Sequence, residues 1–148
     1  MHRHLALLVA SFLSSAAFGA AEYDYSTPEK ALASLETALI AKDIEAAVRS
    51  KAFVKEAEGM AVQHFKEKAT KEIIASLARS LELSYRLEMK KTGFPDFASL
   101  RCSANHELLE PNVAVLTERC VFPDRGHSIQ RLKAYRIGVE WKIGEPLP

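Results

Sequence analysis

The chain has 148 residues, which suits one domain of ordinary size and leaves little room for two. Hydrophobic residues at 48% and charged residues at 26% match a globular protein, which excludes wholesale disorder, collagen-like repetition and a multi-span membrane protein. The 20 basic and 19 acidic residues nearly cancel and are interleaved along the chain, so the basic excess that marks a nucleic-acid binder is missing.

The first segment reads as a secretory signal. Met1-His2-Arg3-His4 is a short basic start, Leu5 to Phe18 carries no charge, and Gly19-Ala20-Ala21 offers the small residues that a signal peptidase requires. Cleavage is expected after Ala21, with Gly19 as the alternative. The apolar run is shorter than the ~20 residues that span a bilayer, so no membrane insertion is expected after cleavage. No Cys lies near the cut, which leaves no lipid anchor. Residues 1–21 are thus expected to be removed, and 22–148 to form a single domain in the periplasm or outside the cell. Arg3 is the only charged residue lost, so the remainder has as many basic residues as its 19 acidic ones.

Ser26-Thr27-Pro28-Glu29 reads as a helix start, with a hydroxyl cap, Pro in the first turn, and Glu29 at capping-box spacing from Ser26. Leu32, Leu35 and Leu39 recur on one face of this helix. Asp43 caps a second, short helix over 44–49, and a third over 53–66 is interrupted by Gly59. Over 70–91 both periods fit. Leu77, Leu81, Tyr85 and Met89 make a helical stripe, while Leu81, Leu83, Tyr85 and Leu87 alternate as in a strand. Lys90-Lys91, Gly93 and Pro95 form a helix ending, which decides for one long helix. The mixed charges at Lys66-Glu67-Lys68 and Lys90-Lys91 are expected to be solvated helix surface.

From Ser99 onward the pattern is a meander of four strands. Glu110-Pro111-Asn112 turns between runs 99–109 and 113–122, and Pro123-Asp124-Arg125-Gly126 turns again, with Gly126 free to take positive φ. The third strand spans 129–137 and a short fourth spans 139–143. Cys102 and Cys120 lie nine residues on either side of Pro111, so the first hairpin sets them directly opposite each other. In an oxidising compartment that pairing predicts a structural disulfide. The cysteines have no clustered histidines and are far apart for a redox motif, so no metal site is expected.

The order of elements, helices first and antiparallel strands afterwards, predicts an α+β fold with helices packed on one face of the sheet. Residues 27–31, Thr-Pro-Glu-Lys-Ala, leading into Ala38-Leu39-Ile40-Ala41-Lys42-Asp43-Ile44, resemble the opening helices of exported bacterial nuclear transport factor two-like domains. Residues 121–126 and the closing Trp141-Lys142-Ile143-Gly144 are similar to that family's final hairpins. The resemblance implies a curved sheet wrapped by helices into a cone, an architecture used by enzymes, ligand binders and structural modules alike. Trp141 is expected to be buried.

The hairpin register also supplies the candidate site. His106 and Glu118 become diagonal neighbours on the mostly apolar even-numbered face, where burial and mutual proximity can shift their protonation. The simpler reading of the two is a structural hydrogen-bonded pair. His64 and His127 are expected at the surface. No Gly-x-Ser-x-Gly, phosphate-cradling loop or His-Glu-x-x-His occurs, so no catalytic residue is assigned and no cofactor is expected. The leading expectation is a non-catalytic exported module that binds a small apolar ligand or a protein partner, through its cone or its outer sheet face. A periplasmic immunity or inhibitor protein is the alternative, and an enzyme using His106 and Glu118 is the third reading.

Overall fold

A computed structural model describes residues 22–148. The expected signal segment, 1–21, lies outside the described residues. Among the described residues four α-helices precede four strands: α1 (Pro28–Ile40), α2 (Ile44–Arg49), α3 (Phe53–Phe65), α4 (Lys71–Thr92), β1 (Arg101–Glu110), β2 (Val113–Val121), β3 (His127–Ile137) and β4 (Glu140–Leu147). No helix among the described residues is long and apolar enough to cross a membrane.

The helix caps are mostly those the sequence implied. Asp43 accepts from the Ala46 amide at 3.0 Å and starts α2. The α1 cap differs, because Thr27 accepts the Lys30 amide at 3.2 Å and the expected Ser26 capping box does not form. The Glu29 carboxylate is drawn instead to His106, across the inter-layer gap. Gly59 does not interrupt α3, which runs through it. The long helix α4 holds over the ambiguous stretch. Leu77, Leu81, Tyr85 and Met89 are half-buried at helical spacing, whereas Leu83 and Leu87 are exposed, so the strand-like alternation carries no burial. Gly93 ends α4 with φ +83°, a left-handed conformation that residues with a Cβ seldom adopt.

The strands form one antiparallel sheet in the order β1-β2-β3-β4. Cys102 stands directly opposite Cys120 and is bonded to it, with Cα atoms 4.1 Å apart. The second turn differs from expectation, since its left-handed residue is Arg125 (φ +70°) and not Gly126. β4 is longer than expected. It runs on to Leu147 past a break in register opposite Leu132–Ala134. Its outer edge is covered: the Ala52 amide donates to the Ile143 carbonyl, and the Ile143 amide to the Ser50 carbonyl, each at 2.8 Å. No backbone partner covers the outer edge of β1 among the described residues.

The helices pack on the sheet face that carries the even-numbered residues of β1–β3 and, on β4, Trp141 and Ile143. Ala31 and Leu32 of α1 meet Leu116, Leu132, Ala134, Trp141 and Ile143 in the main apolar cluster, and Trp141 is buried as expected. A second cluster joins the end of α1 to α2, and a third joins α3 to α4, where the Phe53 and Tyr85 rings meet edge to face at 5.7 Å. On the other face, a Cβ added to Gly144 would lie 2.5 Å from the Tyr135 ring, which seats itself over that glycine. Two consequences are measurable. Replacing both cysteines by Ser should lower the unfolding free energy by about 3 kcal/mol in urea denaturation, the loop-closure contribution of a bond over this span. Gly144→Ala should destabilise by about 1–3 kcal/mol by the same assay, since the ring or strand must move to admit the methyl.

Candidate functional site

The register places His106 opposite Leu116 and Glu118 opposite Ala104, so the two candidates are diagonal neighbours on the inner face, as the hairpin geometry implied. They do not bond to each other. His106 Nδ1 lies 2.5 Å from Oε1 of Glu29, in the first turn of α1. Glu118 Oε2 accepts a hydrogen bond from Nε2 of Gln130, its cross-strand partner on β3. Against Glu118 from the helix side stands Glu36, two turns along α1 from Glu29.

Glu29, Glu36 and Glu118 line a cavity of about 210 Å³ between α1 and the β1–β2 hairpin, with His106 and Gln130 behind its walls. One wall is Glu29, Leu32, Ala33 and Glu36 from the helix. The other is Cys102, Ser103, Ala104 and Glu118 from the strands. Glu118 is only 1% exposed, and its Oε1 meets no N–H or hydroxyl donor among the described residues. A bare carboxylate in that position is strongly disfavoured unless a neighbour supplies a proton or a positive charge.

Glu36 supplies the proton. Burial raises its carboxyl first, and the hydrogen bond and negative charge of Glu118 raise it further, to about 8. Near neutral pH the two carboxyls therefore share one proton and one negative charge. Glu29 behaves differently. Burial acts to raise it, but the hydrogen bond and charge of His106, together with hydrogen bonds from backbone amides, leave it below its ordinary value. The cavity thus has an ionised carboxylate paired with a histidine at one end and a proton-sharing pair at the other. Such a pair can hand over a proton, take one up, or exchange it for another cation.

The disulfide borders this site. Both sulfurs and a Glu118 carboxylate oxygen lie within 4.8 Å of one another, a metal-ligand grouping in shape only, since disulfide sulfurs are not thiolates. The partners Glu29, Glu36 and Gln130 escaped the sequence reading. A signal for Glu36 existed, because it falls between Leu32 and Leu39 on the apolar stripe of α1, where a charged residue needs a partner.

The opposite, odd-numbered sheet face carries charge of the other sign. Arg101, Arg119 and Arg131 lie on adjacent strands and step diagonally across the sheet, with His127 and Lys133 beside them and the acids Glu107 and Glu110 on β1. Lys133 is paired to Glu145 at 3.3 Å, whereas the three arginines form no ion pair among the described residues. All three are exposed, as are Val121 (41%) and Ile129 (53%) between them. His64 is exposed on α3 and His127 on this face, as expected.

No family model, curated protein or solved structure matches the chain.

The shared proton has a stability signature. Folded Glu36 keeps its proton up to about pH 8, while in the unfolded chain it loses it near the ordinary value of 4.5. Between those values the folded state binds more protons, so stability falls as pH rises through the window. Urea midpoints for wild type should decline from pH 4.5 to about 8 more steeply than those of Glu36→Gln, whose amide donates to Glu118 at every pH. Parallel profiles would show that the two carboxyls do not share a proton.

Proposed function

We propose that this chain is an exported, non-catalytic binding module that docks an acidic protein surface through the outer face of β1–β3. The observation that carries this reading is the diagonal of unpaired arginines, Arg101, Arg119 and Arg131, on an exposed sheet face of a protein whose charges otherwise balance. Cross-strand diagonal neighbours sit roughly 7–8 Å apart, close enough to act together on one acidic patch. Arginine is enriched at protein interfaces and its planar fork binds carboxylates in pairs. Val121 and Ile129 supply apolar contact, and Ser103, Asn105 and Thr117 on the same face supply hydrogen bonds. A nucleic-acid partner fits less well, since the chain as a whole has no basic excess.

The cavity under α1 is lined by three carboxyl groups, which does not suit an apolar ligand there. Export, to the periplasm or outside the cell, is supported by the signal-like pattern of residues 1–21 and by the disulfide. The helices-first order and four-strand meander support the nuclear transport factor two-like assignment. Inhibition of an exported toxin is one form this docking could take, since a basic face suits a target with an acidic surface.

The test is charge reversal. Wild type should be retained on an immobilised acidic polypeptide such as poly-glutamate at low salt and released as screening shortens from ~30 Å at 0.01 M to ~3 Å at 1 M. The triple variant Arg101→Glu, Arg119→Glu, Arg131→Glu should not be retained, with its circular dichroism unchanged. Equal retention of the two proteins would reject the outer face as the docking surface.

A further inference from the structure

We propose that the cavity between α1 and the β1–β2 hairpin is a binding site for a small organic monocation, a primary ammonium on a short aliphatic stem, held by the carboxyls of Glu36 and Glu118. Glu118 carries the argument. It is 1% exposed, its Oε2 is engaged by Gln130, and its Oε1 has no N–H, hydroxyl or basic partner, so that only the Glu36 carboxyl stands against it. Buried polar atoms in native proteins are almost always satisfied, and those that are not call for a ligand, an ion or a functional reason. The protonated Glu36 carboxyl offers a single donor. A primary ammonium offers three, together with the positive charge that a buried carboxylate lacks.

The cavity selects among cations by size and lining. At about 210 Å³ it is below the ~300–1,000 Å³ range of pockets for drug-sized ligands, and it suits a head group with a few methylenes. Leu32, Ala33 and Ala104 form apolar walls for the stem. A hard divalent cation takes six or more oxygens, which these walls do not supply, and the sulfurs that could serve a softer metal are bonded to each other. No basic side chain lines the cavity to compete for the carboxyls, since His106 is held outside by Glu29.

The exchange balances in charge. The ammonium enters with one positive charge, the proton shared by Glu36 and Glu118 leaves to solvent, and no covalent bond to carbon forms or breaks. Binding is therefore linked to pH. Affinity should rise about tenfold for each pH unit up to about 8, where Glu36 begins to lose the proton unaided.

The experiment is calorimetric titration of the full chain with n-butylammonium chloride, in paired buffers of different ionisation enthalpy, from about pH 6 to about pH 8. The expected result is one site, release of close to one proton, and affinity rising with pH as above. Glu118→Gln and Glu36→Gln should each lose binding by tenfold or more. Glu36→Gln is the safer variant, since its amide can replace the proton and keep the fold, which thermal melting checks. Lys90→Ala, on the exposed end of α4, should bind like wild type. Magnesium and zinc chlorides serve as competing probes. Three results would overturn the proposal: no heat of binding in wild type, binding retained in a Glu36→Gln protein that melts normally, or saturation by a divalent cation in place of the ammonium. Failure here leaves the outer-face reading untouched, since none of these side chains lies on that face.

Discussion

A covalent bond between directly opposed residues sets the phase of the β1–β2 hairpin, and phase decides which strand residues see water and which see the helices. Side chains alternate across a sheet, so a slip of one residue would exchange the two faces entirely. With Cys102 held opposite Cys120, Leu116 and Glu118 must point toward α1, while Arg101 and Arg119 must point away. The β2–β3 pairing continues without a break from Val113 opposite Tyr135 to Val121 opposite His127, and so carries the same phase one strand further, to Gln130 inside and Arg131 outside.

The outcome is a protein that separates its charges by layer while its sum stays near zero. Acidic groups gather between α1 and the sheet, where low polarity drives two of them to share a proton. Basic groups gather on the far side, where water screens them and, among the described residues, no acid pairs with the three arginines. The two arrangements obey different physics. Inside, the uncompensated charge is what the structure avoids, and the neighbouring carboxyl adjusts its protonation to prevent it. Outside, uncompensated charge is inexpensive to carry and extends its field to any approaching surface within a Debye length, ~8–10 Å at moderate salt.

How far the sequence discloses this depends on the distance over which each feature is encoded. The disulfide, the hairpin and the diagonal placement of His106 and Glu118 follow from residues within a twenty-residue stretch around Pro111, because local register is an arithmetic property of the turn. Their carboxyl partners come from α1, some eighty residues earlier in the chain, and the side of the helix that meets the sheet is fixed by packing and not by spacing alone. Glu36 on the apolar stripe was a readable anomaly. The arginine diagonal was readable too, by extending the hairpin parity through the Pro123–Gly126 turn, but a charge sum along the chain hides it. At the start of α1, two adjacent hydroxyls compete for one cap, and with Thr27 in the position Pro28 falls in the first helical turn, where its missing N–H costs nothing.

The place of the disulfide along β1 also has a mechanical consequence. Cys102 is the second residue of the strand, so tension arriving through residues 93–100 meets the covalent bond almost at once and passes directly into β2. Beyond it, the ladder from Ser103 to Glu110 is closed by sulfur at one end and by the Pro111 turn at the other, and a pull from the helical side cannot unzip it rung by rung. An edge strand with no neighbour on its outer side would ordinarily be the first part of a sheet to peel. Here the force path bypasses it, and yielding is transferred to the non-covalent contacts between β2, β3 and the helices.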